Sequence, residues 1–376
     1  MRLFDTSQGE FVDFEPGPVA RLYTCGITPY DATHLGHAAT YITYDLVHRR
    51  LLDLGIEVRL VRNITDIDED LLQRARRDGI NYLDLAFREK RQFDADLSAL
   101  GNLEPWSQPR ATSAIPDIRG IISQLIDLRA AYINDGSVYF RHDASDTFGQ
   151  VGGYTRVDMR HIGASRGEDP TDDKKRHPLD SLLWGPSASD EPSWESPWGP
   201  GRPGWHVECT ALARRELGSV DLYGGGCDLI YPHHEFCAAH DRVLSNGDTA
   251  VPLYMHQACV HLAGQPMSKS TGNLIFVRDL LKREEPMVVR LAVLSQHYRT
   301  QEWTWTDDLL AAARSRIKLW RAAPTGPGPQ KEVRALLDKD LSVEEILSLL
   351  DARARQGKPV EGAAKLLGVG LRPPPP

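Results

Sequence analysis

Apolar residues recur at helical spacing through Leu35, Ala38, Ile42, Leu46 and Leu51, and the run stops near Gly55. Immediately before it, Arg21-Leu22-Tyr23-Thr24-Cys25 has apolar, β-forming content, and Gly26 to Thr33, with Pro29 inside, reads as a loop. Ile56 to Ile64 alternates well enough for a second strand. Strand, loop, helix, strand predicts the opening of a βαβ unit built on a parallel sheet.

The pattern then changes. From about Arg110 to Trp198, helix-like stretches give way to GEDPTDDKKRHP and GPSASDEPSWESPWGPGRPG, both rich in proline, glycine and charge. Such composition predicts an insertion between two halves of the sheet. The α/β pattern resumes at Gly204 and runs to about Asn273. Beyond Asp279 the periodicity is helical, PTGPGP reads as a linker, and Glu332 to Leu371 holds two short helical patterns. The expected division is 1–109 for the first half of the sheet domain, 110–198 for the insertion, 199–278 for the second half, 279–371 for a helical domain and 372–376 for a disordered tail.

Charge and cysteine usage narrow the classes. Lys plus Arg is 44 and Asp plus Glu is 52, a net charge of -8, which argues against a broad nucleic-acid surface but leaves a local basic patch open. MRLFDTSQGEF has no apolar run of signal-peptide length, and no stretch approaches the ~20 apolar residues of a membrane span. A soluble cytoplasmic protein is expected. Five cysteines, Cys25, Cys209, Cys227, Cys237 and Cys259, are an odd number in a large chain. A disulfide framework is therefore not expected; metal ligation or buried thiols are.

His34-Leu35-Gly36-His37 falls at the start of the first helix, where free N–H groups and the positive dipole end suit a triphosphate. Two imidazoles one turn apart can hydrogen-bond phosphoryl oxygens as charge develops. Gly36 leaves room for a flat base. Alone, the four residues fit two ordinary surface histidines equally well. Met267-Ser268-Lys269-Ser270 is a second polar loop whose lysine can close over a departing pyrophosphate; alone it is a solvated turn. Together, some 230 residues apart and each at a half-sheet edge, they form the signature of class I aminoacyl-tRNA synthetases.

Cys25, Cys209 and His233 are a third constellation. Two thiolates and an imidazole suit zinc and leave a fourth position open. A soft thiolate is a good fourth ligand, so such a metal distinguishes cysteine from serine by its sulfur, which pocket size alone does poorly. The competing reading is buried thiols and a structural histidine, because the three residues lie far apart in sequence.

These segments match a family. Cys25-Gly-Ile-Thr-Pro-Tyr-Asp31, His34 to His37, Arg62-Asn-Ile-Thr-Asp-Ile-Asp68, Pro178-Leu-Asp180, Gly201 to Cys209, Asp228 to Glu235 and Met267 to Ser270 resemble cysteinyl-tRNA synthetases. They resemble still more the tRNA-independent relatives, the mycothiol-biosynthesis ligases that join cysteine to the amine of glucosaminyl-inositol. The resemblance implies a class I synthetase-like Rossmann catalytic domain with an inserted subdomain and a C-terminal helical domain. It implies Zn2+ on Cys25, Cys209 and His233, with Gly26, Ile27, Thr28, Ile64, Thr65 and Trp205 around the cysteine and Asp228 receiving its ammonium. Thr40 and Asn63 would contact the adenylate. His34, Gly36, His37, Ser268, Lys269 and Ser270 would serve the phosphates of ATP, with Mg2+, and Gly226, Cys227 and Val260 would lie along the nucleotide. It further implies a monomer or weak dimer acting on L-cysteine, ATP and an amino sugar–inositol, without tRNA or membrane.

Which amine receives the cysteine is decided by smaller features. Ile27, Pro29, Phe236 and Gln301-Glu302-Trp303 follow the ligase form, and the chain beyond the Rossmann core is short and not basic. Arg62-Asn63 and Pro109-Arg110-Ala111-Thr112 read more like the synthetase. Ser165-Arg-Gly-Glu-Asp-Pro170 departs from the ligase's usual Glu-Arg-Gly-Gly-Asp-Pro, and Pro266 replaces a lysine before Met267. Cys237, four residues after His233, is either a fourth zinc ligand or a small buried residue; Cys227 and Cys259 are expected to be packing thiols.

Overall fold

In the computed structural model, which describes residues 1–247, 252–267, 272–301 and 303–372, the strand Val19–Ile27 lies inside a four-stranded parallel sheet. Glu57–Ile64 pairs on one side of it, Leu222–Gly226 on the other, and Leu253–Gln257 beyond that. Leu22 sits between Leu60 and Leu222 in register, and Leu22 to Cys25 are all buried, as strands covered on both faces must be. The helix Leu35–Asp53 makes the first crossover and buries the five expected apolar positions, together with Tyr41, Tyr44 and Asp45. From Glu57–Ile64 the chain later returns to the opposite side of Val19–Ile27. The strand order thus reverses beside that strand, which opens a crevice at the carboxyl ends.

The insertion is more ordered than its composition suggests. It holds the helix Ile115–Asp127 and a four-stranded antiparallel sheet of Ala131–Asn134, Ser137–Phe140, Ser181–Gly185 and Arg202–Pro203. These strands are too short for a readable alternation. The last one, Arg202–Pro203, extends the sheet past residue 198.

At the C-terminal end, Glu332 to Leu371 was expected to hold two helices; the chain from Pro329 forms three, Gln330–Leu337, Val343–Arg355 and Glu361–Leu366. Positive φ at Asp340, Leu341 and Gly357 divides them. The hairpin Arg2–Asp5/Glu10–Asp13, also not foreseen, ties this end down: Arg2 N–H donates to Asp338 O at 2.8 Å, and Asp340 N–H to Arg2 O at 2.9 Å. Arg290, fully buried, pairs with Asp45 of the first helix and donates to Leu367 O at 2.8 Å and Leu100 O at 3.1 Å. The helical module is therefore fixed to the helix that carries His34 and His37. Among the described residues no helix is long and apolar enough to cross a membrane.

Candidate active site

All four parallel strands deliver residues to the crevice. His34 caps the first helix: its backbone is extended, and its Nδ1 accepts the N–H of Gly36 at 3.1 Å. In the neutral ring the proton is therefore on Nε2. His37 stacks on His34 with ring centroids 3.7 Å apart, so the two imidazoles form one platform at the helix N-terminus. Thr40 Oγ1 donates to Gly36 O at 3.0 Å in the next turn.

Opposite the helix, the ends of the first two strands are locked together. Gly26 N–H donates to Asn63 Oδ1 at 2.9 Å, Asn63 Nδ2 to Thr65 Oγ1 at 3.1 Å, and Thr65 N–H to Ile27 O at 3.0 Å. A Cβ on Gly26 would stand 1.5 Å from Asn63 O, so only glycine fits. Ile27 and Ile64 face each other across this junction. Thr28 Oγ1 donates to Asp68 Oδ2 at 2.8 Å.

The fold brings the three distant thiol and imidazole residues together. One ligand atom each from Cys25, Cys209 and His233 lies within 4.8 Å of the other two, and all three residues are buried. Cys25 comes from the first strand, Cys209 from the helix Trp205–Leu217, and His233 from the turn after Leu222–Gly226. Trp205 stacks on His233 at 4.2 Å and covers its ring. Burial alone would raise the Cys209 thiol, but the hydrogen bond with Cys25 and the charge of His233 bring it well below the usual range. Burial pushes Cys25 well up. Burial would lower His233, yet the sulfurs of Cys237 and Cys209 raise it well above the ordinary imidazole value. Two cysteine sulfurs and an imidazole nitrogen, buried and within 4.8 Å of one another, are a compact soft donor set, so the residues fit zinc.

Two neighbours were not legible in advance. His234 Nε2 lies 3.1 Å from Cys25 Sγ, its Nδ1 lies 2.7 Å from His256 Nε2, and His256 Nδ1 lies 2.8 Å from Thr6 Oγ1. This chain of rings supports the Cys25 sulfur; the only hint in sequence was the adjacent His233-His234 pair. Cys237 Sγ sits 4.0 Å from His233 Nε2 and 3.5 Å from His206 O, outside the compact set of three. A second group, His142, His177 and Asp180, also converges within 4.8 Å. Its Asp180 accepts four hydrogen bonds, and His177 Nδ1 accepts the N–H of Leu179, so its electron pairs are already engaged.

The nucleotide side carries one correction. Cys227 and Cys259 are not separate packing thiols: they form a disulfide, with Cα atoms 5.9 Å apart. Leu222–Gly226 and Leu253–Gln257 are neighbouring parallel strands, so residues just past their ends come within bridging distance, which counting cysteines cannot reveal. Asp228, exposed, follows Cys227 beside Gly226, and Val260, buried, follows Cys259. The bridge thus joins the two segments expected to flank the nucleotide. Ser268, Lys269 and Ser270 lie outside the described residues.

The family model described as "tRNA synthetases class I (C) catalytic domain" matches residues 11–315. The chain belongs to this family of class I synthetase-type catalytic domains. Within it, the chain is 47% identical over 362 residues to the L-cysteine:1D-myo-inositol 2-amino-2-deoxy-alpha-D-glucopyranoside ligase of Streptosporangium roseum, covering 94% of this chain and 88% of that protein. The ligase of the same name from Nakamurella multipartita is 46% identical over 387 residues, covering 99% and 95%. In fold, the chain is similar to Mycobacterium tuberculosis methionyl-tRNA synthetase in complex with methionyl-adenylate, with TM-score 0.65 and 16% identity over 94% of this chain and 88% of that one.

Proposed function

We propose that this enzyme is an AMP-forming ligase that activates L-cysteine with ATP and transfers it to the amine of a glucosaminyl-inositol. The observation that carries the reading is the buried set Cys25, Cys209 and His233 at the carboxyl edge of the sheet, beside the His34–His37 platform. The relatives named as cysteine ligases at up to 47% identity support the acceptor over tRNA.

Zn2+, held by Cys25, Cys209 and His233, would supply soft-ligand selection of a thiol over a hydroxyl. Asp228 receives the substrate ammonium, and Trp205, Thr28 and Thr65 enclose the short side chain. The cysteine carboxylate attacks the α-phosphorus of ATP, and pyrophosphate leaves. His34 and His37 donate to phosphoryl oxygens as charge builds there, and the strand ends hold the reactants in line. The acceptor amine then attacks the mixed anhydride carbonyl, loses a proton and expels AMP. Lys269, with Ser268 and Ser270, closes over the phosphates, and Mg2+ accompanies ATP. The same reading has the parts 1–109, 110–198, 199–278 and 279–371 as two catalytic halves, insertion and helical domain, in a cytoplasmic monomer or weak dimer.

The test offers zinc-loaded protein ATP and cysteine, with either glucosaminyl-inositol or tRNA, and counts AMP. Release dependent on the amino sugar is expected. Release with tRNA alone would make the chain a synthetase, and no cysteine-dependent ATP–pyrophosphate exchange would make it a binding module.

A further inference from the structure

The loop Ser165 to Pro170 is where this sequence departs from the ligase pattern, and it reaches the metal ligands. Glu168 Oε1 lies 3.1 Å from His206 Nε2, and His206 Nδ1 lies 2.9 Å from His233 Nδ1. With Nδ1 facing His206, Nε2 is the nitrogen of His233 left to face a metal, and it lies 4.0 Å from Cys237 Sγ. One proton lies between the two Nδ1 atoms, and its direction depends on the ends of the chain. If His233 offers the Nε2 electron pair to a metal, its proton is on Nδ1 and donates to His206. His206 then carries its own proton on Nε2 and donates to Glu168. In the opposite order, the lone pair of His206 Nε2 would face a carboxylate. Only the first order pairs donor with acceptor at each step.

Glu168 is itself anchored. Its Oε2 accepts from Lys175 Nζ at 2.8 Å and its Oε1 from Ser181 Oγ at 3.1 Å, and the Lys175 side chain is 4% exposed. Burial alone would raise the carboxyl, but His206 and Lys175 hold it down at about 2. From the same loop, Arg166 donates to Asp228 O at 2.6 Å and to Tyr231 O at 2.5 Å, gripping the turn that delivers His233.

We propose that Glu168 is a positioning residue for the metal centre: through His206 it fixes the tautomer and ring orientation in which His233 presents Nε2 to zinc. The inference rests on the zinc reading above and deepens it. Metal-ligating histidines commonly pass their second N–H to such outer partners, whose loss weakens metal binding about 10–100-fold.

The experiment measures the zinc dissociation constant by chelator competition for wild type, Glu168→Ala and Glu168→Gln, alongside KM and kcat in cysteine-dependent pyrophosphate exchange. Glu168→Ala is expected to weaken zinc about 10–100-fold. Its KM for cysteine is expected to rise more than kcat falls. Glu168→Gln, whose amide oxygen still accepts from His206, retains most of the affinity. If the alanine variant does not fold, Glu168→Met fills the space without a comparable acceptor and carries the same expectation. Equal zinc affinity in wild type and the alanine or methionine variant overturns the proposal, as does a glutamine variant as weak as alanine. Wild-type protein that binds no zinc overturns instead the reading beneath it.

Discussion

Tyr44 gives the sharpest test of how the nucleotide side of the crevice is held. It is 1% exposed and lies against the glycine run Gly224 to Gly226. Its hydroxyl accepts the N–H of Gly225 at 2.7 Å and donates to Met255 O at 2.5 Å. A Cβ on Gly224 would stand 2.4 Å from the tyrosine ring, so the glycine exists to admit it. Tyr44→Phe removes only the oxygen and leaves a buried N–H and a buried carbonyl underbonded. Each costs about 1–3 kcal/mol, so the two together cost about 2–6 kcal/mol. In a chain of this length that corresponds to a Tm decrease of about 3–8 °C. Because Gly226 and Asp228 follow directly, KM values for ATP and cysteine in pyrophosphate exchange should rise together. Thermal unfolding and exchange kinetics on the same preparation test both halves. A variant with wild-type Tm and unchanged KM would refute the claim that this hydroxyl pins the strand ends.

Other perturbations follow from the same geometry. Gly26→Ala sets a methyl against Asn63 O and should abolish cysteine activation, read by pyrophosphate exchange, with a loss of stability read by urea unfolding. Cys227→Ser opens a bridge spanning 32 residues, whose loop entropy amounts to about 4 kcal/mol; the variant should melt lower under oxidising conditions and equal the wild type after reduction. Asp45 would be raised by burial, but Arg290 and Arg49 hold its carboxyl below the ordinary value. Its contribution is therefore present above the unfolded carboxylate pKa and lost as pH falls through the lower folded one. Asp45→Asn should cost about 3 kcal/mol near neutrality and show a shallower acid limb in pH-dependent denaturation.

Much of the catalytic half was legible because its signals are local. The spacing of Leu35, Ala38, Ile42, Leu46 and Leu51 located the first helix, and its polar start at His34 marked the anion end. Cys25, Cys209 and His233 were identified by donor chemistry and family resemblance, and the sheet brings them together. What stayed hidden depends on contacts between distant segments. The insertion's four-residue strands are too brief for periodicity to register, and the Cys227–Cys259 bridge follows from strand order. The outer histidines His206, His234 and His256 gain meaning only once each ring nitrogen has a partner, and Glu168 reaches them from 38 residues before His206.

X-ray absorption at the zinc edge, recorded with and without L-cysteine, tests the central claim most directly. The account predicts one zinc per chain bound by two sulfurs at about 2.3 Å and one imidazole nitrogen at about 2.0 Å, with a third sulfur appearing when cysteine is added. Chain without zinc, or a sulfur count that cysteine leaves unchanged, would contradict it.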